Sequence, residues 1–294
     1  MQDKTNISLS IGIVCFNSNE LELCKLIASI LDSVEYLKET HKLSVLPIYL
    51  IDNSPEENLS LKIFEGYQQR AHELDVELRL LHGHGNIGYG RAHNLPLENL
   101  ESDYHLILNP DLKIERECLM SGITYLNDNS EVIACSPYAK YENGNKQYLC
   151  KRYPSVMTFL VRGFLPGPLK KLFAKRLSDF EMRKLSETAA SKNIPIISGC
   201  FMLCRTAALK QLNGFDENYF LYFEDFDLSL RLRKLGKIAY VPAMRITHAG
   251  GYAAKKGIAH LGMFAKSGIR FFSSHGWRLF RQEKQGASDL SEFQ

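Results

Sequence analysis

The first part of the chain contains four short apolar runs, with an amphipathic segment between the first two. The runs cover residues 9–16, 45–51, 76–81 and 104–109, and each ends at a polar or glycine-rich turn signal. Runs of this length predict strands that are buried on both faces of a sheet. The segment at 20–40 places its apolar residues at helical spacing. Strand and helix units in succession predict an α/β fold with a mostly parallel central sheet flanked by helices.

The pattern becomes less regular after the first half of the chain. Residues 138–194 are rich in Lys, Arg, Tyr and Phe, and we expect an irregular, helical insertion that acts as a lid or as a flap for the membrane or the acceptor. We therefore divide the chain into one domain at residues 1–250, which contains this insertion, and a basic, aromatic and helical C-terminal extension at residues 251–294.

The second half of the predicted domain returns to regular structure. A strand is predicted at 196–204 and a helix at 228–235. The last strand is predicted at 238–241. Pro242 follows this strand, and His248 is then expected in a loop.

Composition limits the classes of function. Apolar residues make up 45% of the chain and charged residues 23%, as in an ordinary soluble globular protein. The net charge of +3 is too small to indicate a nucleic-acid partner. Seven scattered cysteines without a CxxC pair indicate a reducing compartment, and no run approaches the roughly 18–20 apolar residues that span a bilayer. We expect a cytoplasmic protein, or one that is peripheral on the inner face of the cell membrane.

Three polar side chains follow predicted parallel strands and should meet at one edge of the sheet, where open α/β sheets bind ligands. Asn17 and Asp52 follow the first two strands, and Asp111 follows the fourth. Asp52 suits a base or ribose group, although it could equally cap the next helix. Asp111 could bind a divalent cation or nucleotide hydroxyls, and its alternative is a cap after an Asn-Pro-Asp turn.

A glycine-rich loop follows the third strand and opens a helix. It has neither the Walker nor the Rossmann spacing, so close approach of its backbone to a ligand is the functional interpretation and a plain tight turn is the alternative. The candidate ligand-binding residues of the loop and of the helix after it are Gly85, Asn86, Gly88, Gly90, Arg91 and Asn94.

A second acidic cluster follows an aromatic stretch. Glu224 and Asp225 lie directly after Tyr222 and Phe223, and desolvation and mutual repulsion would raise the pKa of at least one carboxyl toward that of a general base. A helix cap or a solvated turn is the alternative. His248 is a good ligand for a borderline divalent metal, or else a satisfied loop histidine.

Taken together and in this order, these motifs resemble the family 2 glycosyltransferases, which have the GT-A fold. The likeness covers about residues 8–250 and is greatest to the bacterial rhamnosyltransferase-like branch that builds O-antigen, capsule or cell-wall polysaccharide. The motifs that carry it are Ile13-Val14-Cys15-Phe16-Asn17, Ile51-Asp52-Asn53-Ser54, the Gly85–Asn94 loop, Leu108-Asn109-Pro110-Asp111, Ser198-Gly199-Cys200-Phe201-Met202, Asn213-Gly214-Phe215-Asp216-Glu217, Tyr222-Phe223-Glu224-Asp225-Phe226-Asp227-Leu228 and His248.

The resemblance assigns roles to matching residues. Asn17 and Asp52 would hold the nucleoside of the donor, and the loop residues Gly85, Asn86, Gly88 and Gly90 would lie beside the nucleotide and sugar. Asn109 and Asp111 stand at the Asp-x-Asp metal motif, where Asn109 replaces one acid. Asp111 and His248 would then bind Mg²⁺ or Mn²⁺. Asp225 matches the catalytic base, with Glu224 as its neighbour.

The resemblance implies an inverting transferase. The favoured reaction moves L-rhamnose from dTDP-L-rhamnose to a lipid-linked or growing cell-surface glycan, for example on an undecaprenyl-diphosphate carrier. A UDP-hexose donor is the alternative within the family. An idle nucleotide-sugar-binding module and a Rossmann oxidoreductase are alternatives of other classes, and the missing first-strand glycine motif disfavours the latter.

The end of the chain interleaves cations with aromatic residues. Such a segment suits an anionic membrane surface, or else a helix that packs its aromatic face on the domain. The residues concerned are Lys255, Lys256, Phe264, Lys266, Arg270, Phe271, Phe272, Trp277, Arg278, Phe280 and Arg281.

Overall fold

A computed structural model describes residues 6–56, 59–249 and 258–280. Within these ranges, ten strands form one mixed, mostly parallel sheet flanked by helices. The strands of the structure are β1 (Asn6–Ile7), β2 (Leu9–Cys15), β3 (Lys42–Leu43), β4 (Leu46–Asp52), β5 (Val76–Leu81), β6 (Tyr104–Leu108), β7 (Leu112–Ile114), β8 (Val132–Lys140), β9 (Lys146–Gln147), β10 (Cys150–Lys151), β11 (Ser191–Lys192), β12 (Ile196–Ile197), β13 (Phe201–Arg205) and β14 (Lys237–His248).

The helices lie on both faces of this sheet. They are α1 (Glu20–Thr40), α2 (Gln68–Glu73), α3 (Tyr89–Asn94), α4 (Cys118–Asp128), α5 (Val156–Phe164), α6 (Gly167–Lys170), α7 (Ala174–Phe180), α8 (Thr206–Gln211), α9 (Glu224–Leu232) and α10 (Ile258–His275), with 3₁₀ turns at Leu61–Tyr67, Leu97–Asn99 and Lys171–Phe173.

The parallel half of the sheet confirms the fold predicted from the apolar runs. Its strands lie in the order β6-β2-β4-β5, and the register pairs Ile13 with Leu108 and Cys15 with Asp52. Helix α1 begins where Asn19 accepts a hydrogen bond from the Glu22 N–H, and its apolar face is buried against the sheet. The carboxyl ends of these strands therefore share one edge.

The other half of the sheet corrects two predictions. The strand expected at 196–204 is interrupted, so that β12 pairs with β10 while β13 runs antiparallel between β6 and β8. The last strand does not end at 241. Strand β14 continues past Pro242 through a register shift, because a bulge tolerates a residue without an N–H. His248 therefore ends a strand that pairs with β7, and it does not lie in a loop.

The acidic cluster also differs from the prediction. Helix α9 begins at Glu224, not at residue 228, so both catalytic candidates lie in its first turn. Segment 138–194 contains three α-helices, α5 to α7. Among the described residues, no helix has both the length and the apolar character needed to cross a membrane.

The C-terminal helix packs on the rest of the chain. Phe271 and Phe272 of α10 are buried in an aromatic cluster with Phe223, and Phe264 packs against the same cluster. The aromatic side chains of this helix thus face the protein, whereas Trp277 and Phe280 beyond its end are exposed. The tail cations predicted at Lys255, Lys256 and Arg281, and the domain boundary predicted at 250, lie outside the described residues.

Candidate active site

The ends of β2 and β4 form one corner of the sheet edge. Asp52 is buried, and its carboxylate accepts hydrogen bonds from the N–H groups of Ser54 (3.1 Å) and Leu59 (3.0 Å). The Ser54 hydroxyl in turn accepts a bond from the Asn17 N–H at 2.9 Å. Asp52 therefore fixes the loop that carries Asn17, while the Asn17 side chain is exposed at the edge.

Asn53, which sequence reasoning did not single out, joins this corner to the glycine-rich loop. Its Oδ1 accepts a bond from the Ile87 N–H (3.0 Å), and its Nδ2 donates to Asn86 Oδ1 (3.1 Å). Asn86 Oδ1 also accepts from the Gly88 N–H. The only local signal was the position of Asn53 beside Asp52, because its partners are distant in sequence.

The glycines of the loop have different roles. Gly85 and Gly88 have positive φ angles of 60° and 93°, a backbone that favours glycine. A Cβ on Gly88 would overlap the Phe220 carbonyl oxygen, and one on Gly90 would lie 2.8 Å from Phe215. Gly88 and Gly90 therefore let the loop pack against the segment that precedes the acidic cluster, whereas Gly85 faces open space.

Arg91 and Asn94 make hydrogen bonds within the protein, and their contacts to a ligand stay a prediction. The Arg91 Nε–H donates to the Glu217 carbonyl at 2.8 Å. Asn94 donates to the Phe215 carbonyl and accepts from the Phe215 N–H, both at 2.9 Å. Both side chains thus hold helix α3 against residues 215–217.

Asp111 and His248 meet because β7 and β14 are antiparallel neighbours. The register pairs His248 with Leu112, and His248 Nε2 lies 3.3 Å from Asp111 Oδ1. Burial raises the pKa of Asp111, but His248, the backbone and the amide of Asn109 outweigh burial and lower that pKa below its usual value. Asn109 thus contributes to the lowered pKa of Asp111.

These residues fit a divalent cation. Gln147 Oε1 lies 2.8 Å from His248 Nδ1, so Gln147 orients the imidazole with its Nε2 toward Asp111. Asp111 Oδ1 is buried and makes no well-aligned hydrogen bond within the described residues. No group of three or more potential metal-binding side chains occurs in those ranges, so a cation held here would draw further ligands from a diphosphate.

Asp225 lies in the first turn of α9 and is oriented by backbone donors. Its Oδ2 accepts from the Gly199 N–H at 2.9 Å, and Oδ1 accepts from the Phe226 N–H at 2.9 Å. Burial raises the pKa of Asp225 despite these bonds and the positive charge of Lys151. The site thus contains a half-buried carboxyl with raised proton affinity, which is what a general base requires.

Lys151 was not anticipated from the sequence. It is buried on β10, where its ammonium group donates to the Tyr148 carbonyl and lies 5.8 Å from the centre of the Phe180 ring. Burial, and then the nearby Arg162, lower its pKa to about 8. A buried lysine on the two-residue strand β10 carries no sequence signal that separates it from a surface lysine.

The turn before α9 has an unusual backbone. Tyr222 and Phe223 both have left-handed φ angles, 71° and 65°, which cost of the order of 1–3 kcal/mol for such residues. Helix α10 holds this turn, because the Ser267 hydroxyl donates to the Leu221 carbonyl at 2.8 Å and the Phe223 ring packs over Gly268. The fold therefore imposes the conformation that presents Asp225.

The segment at Gly199 and Cys200 lies between the two acidic groups. The Tyr89 hydroxyl donates to the Gly199 carbonyl at 2.7 Å. Burial, Asp111 and Asp225 together raise the pKa of Cys200 to about 12. Burial also raises the pKa of Tyr89, and the same two carboxylates raise it further. Asp111, the candidate metal ligand, and Asp225, the candidate base, thus both raise the pKa of Cys200 and of Tyr89.

Solved structures with this architecture are glycosyltransferases of the GT-A fold. The chain aligns with GalNAc-T7 bound to UDP, GalNAc and Mn²⁺ at a TM-score of 0.61 and 16% identity, covering 93% of this chain and 48% of that one. It aligns with the mannosyltransferase PcManGT of Pyrobaculum calidifontis, bound to GDP-Man and Mn²⁺, at a TM-score of 0.57 and 15% identity, covering 90% and 63%. The fold is therefore GT-A.

The sequence matches the model of glycosyl transferase family 2 over residues 10–212, and the chain belongs to that family. It is 26% identical over 228 residues to the N-acetylglucosaminyl-diphospho-decaprenol L-rhamnosyltransferase of Mycobacterium tuberculosis, covering 72% of this chain and 73% of that protein. It is 30% identical over 175 residues to the rhamnosyltransferase WbbL of Escherichia coli K12, covering 56% and 61%. The protein is thus a glycosyltransferase of the rhamnosyltransferase-like branch.

Proposed function

We propose that this glycosyltransferase moves L-rhamnose from dTDP-L-rhamnose to a lipid-linked glycan acceptor with inversion at the anomeric carbon. The observation that carries the proposal is the half-buried Asp225 carboxylate, oriented by the Gly199 N–H beside Cys200, whose pKa both Asp111 and Asp225 raise. The similarity to a rhamnosyltransferase named for a diphospho-decaprenol substrate supports the sugar and the lipid carrier. A lipid-linked acceptor would place the enzyme at the inner face of the cell membrane.

The chemistry needs one displacement. Asp225 takes the proton of an acceptor hydroxyl while that oxygen forms its bond to the anomeric carbon. The bond from the anomeric carbon to the diphosphate breaks in the same step, and the nucleoside diphosphate leaves with the electron pair. Because no protein nucleophile takes part, the configuration inverts. Glu224 is buried beside Asp225 in the same turn.

The donor would lie along the carboxyl edge of the parallel strands. Asn17 and the loop fixed by Asp52 would contact the nucleoside, and the backbone at Gly85 and Asn86 would approach the nucleotide. Asp111 and His248 would hold a Mg²⁺ or Mn²⁺ ion, which when bound would neutralise charge on the departing diphosphate. The structural relatives bound to Mn²⁺ and a nucleotide or nucleotide-sugar support this arrangement.

Two alternatives keep the same fold. One is transfer from a UDP-hexose, since the solved relatives include TarS of S. aureus bound to UDP-GlcNAc, at a TM-score of 0.55 and 15% identity over 90% of this chain and 67% of that one. The other is a module that binds nucleotide-sugars without catalysis. The oriented base disfavours the second alternative, because binding alone does not need it.

A thermal-shift screen tests the donor. dTDP-L-rhamnose should raise the melting temperature more than UDP-glucose, UDP-GlcNAc or GDP-mannose, and Mn²⁺ or Mg²⁺ should enlarge the shift through the diphosphate. Stabilisation by a UDP-sugar with no response to dTDP-L-rhamnose would replace the donor. Binding without transfer to any lipid-diphosphate acceptor would favour the idle module.

A further inference from the structure

A cluster of exposed apolar side chains lies on the surface formed by α5, α6, the 3₁₀ turn after it, and residues 277–280. The cluster's side chains are between 47% and 80% exposed, although all are large. Contiguous exposed apolar surface of this kind marks an interaction site more often than scattered single residues do. We call this the apolar face, and its members are Leu160, Leu169, Leu172, Trp277, Leu279 and Phe280.

The two parts of the apolar face form one surface. The N–H groups at the start of α5 donate to the C-terminal segment, from Val156 to the Arg278 carbonyl at 2.8 Å and from Met157 to the Leu279 carbonyl at 3.0 Å. The Arg176 guanidinium donates to the Phe280 carbonyl at 2.8 Å. Segments that are more than 100 positions apart in the chain are thereby held side by side.

Positive charge lies beside this face. Residues 156–181 contain five basic residues and two acidic residues, Asp179 and Glu181, and Glu181 lies 3.8 Å from Arg162. Arg162, Lys171 and Lys175 are exposed, and Lys170 lies beside them in α6. Apolar side chains with cations beside them complement an anionic phospholipid surface, which attracts Lys and Arg.

The apolar face also lies directly over the catalytic turn. Phe159, next to Leu160 in α5, packs on Phe223 at 5.1 Å and on Phe226 at 6.3 Å between ring centres. Phe226 follows Asp225 and donates its N–H to that carboxylate. One side of α5 therefore contacts the turn that carries the proposed base, while Leu160 on the same helix is exposed.

We infer that the apolar face docks on an anionic bilayer and so brings the base to a lipid-linked acceptor. This inference rests on the proposed function for its purpose, but docking itself requires neither donor nor acceptor. It also revises the membrane-binding surface predicted for the C-terminal residues. Because the aromatic side chains of α10 pack inward, the inferred membrane contact combines α5, α6 and residues 277–280.

Trp277 gives a direct measurement because it is the only tryptophan in the chain. It is half exposed and stacks on Phe272 at 5.3 Å. With vesicles of equal parts phosphatidylglycerol and phosphatidylcholine, its emission should shift to shorter wavelength and be quenched by brominated lipid. Pure phosphatidylcholine vesicles should give a much smaller effect. Emission that does not change with either vesicle overturns the inference.

A pair of variants assigns the effect to this face. Leu172→Glu with Phe280→Glu should lower partitioning onto the anionic vesicles by about tenfold or more, since two large side chains lose their burial. The matched control, Leu21→Glu with Val45→Glu, changes two apolar residues elsewhere that are also more than half exposed, at 63% and 57%, and should partition like the unaltered protein. Equal partitioning of both double variants overturns the inference.

Two further measurements distinguish membrane docking from misfolding and from self-association. Melting temperature and its increase with dTDP-L-rhamnose should be the same in both double variants, which shows that folding and donor binding are intact. Light scattering without lipid should give the same oligomeric state for the unaltered protein and for the Leu172 and Phe280 double variant. Self-association that these substitutions abolish would identify a second copy of the chain as the occupant of the face and overturn the inference. Vesicle binding without sugar transfer would instead contradict only the proposed function.

Discussion

Asp225 and Gly199 are joined by a 2.9 Å hydrogen bond from the Gly199 N–H to the Asp225 carboxylate. The carbonyl of the same glycine accepts from the Tyr89 hydroxyl. One peptide segment thus links the proposed base to the helix that follows the glycine-rich loop. The position of the carboxylate depends on close approach of this backbone, and the first prediction tests that dependence.

Gly199→Ala should lower kcat by about tenfold to a hundredfold with little change in the affinity for the donor, since small misplacements of reacting groups have effects of this size. A Cβ at residue 199 would lie 3.1 Å from the Asp225 Cβ and 3.4 Å from the Tyr89 ring. Gly66→Ala is the matched control, because its Cβ would meet nothing within 4 Å. Steady-state kinetics that are equal for the two variants would contradict this account.

Gln147→Leu should weaken divalent-cation binding by about tenfold to a hundredfold, as loss of the group that orients a metal-binding histidine usually does. Gln147 contacts His248 Nδ1, on the opposite side of the ring from Asp111. The measurement is titration of Mn²⁺ in the presence of dTDP. Gln69→Leu alters an exposed glutamine elsewhere and should leave the titration unchanged, and a normal titration for the Gln147 variant would argue against the metal site.

Ser267→Ala should lower stability by about 1 kcal/mol, since one hydrogen bond is lost, and should lower kcat at an unchanged KM for the donor. The hydroxyl holds the Leu221 carbonyl next to the left-handed residues Tyr222 and Phe223. Ser267→Thr keeps the hydroxyl and should restore kcat. If the alanine variant loses only stability, the helix merely packs on the turn and does not position the base.

Asp225 should make stability depend on pH in a defined direction. Burial raises the pKa of its carboxyl above the ordinary 3.8, so folding favours the protonated form. Its stabilising contribution is complete below pH 3.8 and is lost as the pH rises through the folded-state pKa. Asp225→Asn should therefore melt at a higher temperature than the unaltered protein at pH 7, and the difference should shrink as the pH approaches 3.8. A variant that is less stable at pH 7 would contradict the direction.

The parallel half of the fold could be predicted from the sequence because its strands are continuous apolar runs that end in polar turns. The interruption between β12 and β13 at residues 198–200 could not be predicted. It depends on the hydrogen bonds that join Gly199 to Asp225 and Tyr89, which are distant in the chain. The extension of β14 past Pro242 depends on a bulge in its pairing with β8.

The candidate site was predictable as a set of chemical groups but not as a set of contacts. Asp111, His248 and Asp225 carry recognisable chemistry and follow predicted elements. Asn53 and Gln147 act through partners that are 34 and 101 positions away. Neighbourhoods of this kind arise only when the sheet forms, so local sequence contains no signal for them.

The most direct test of the proposed base compares Asp225→Asn with the unaltered protein. The amide keeps the size of the side chain and can still accept from the Gly199 N–H, but it cannot take a proton at neutral pH. Radiolabelled sugar transfer from dTDP-L-rhamnose to a lipid-diphosphate glycan should fall by at least about a thousandfold, within the range that removal of a base produces, while the dissociation constant of the donor stays within about twofold. Normal turnover in this variant would show that Asp225 is not the base.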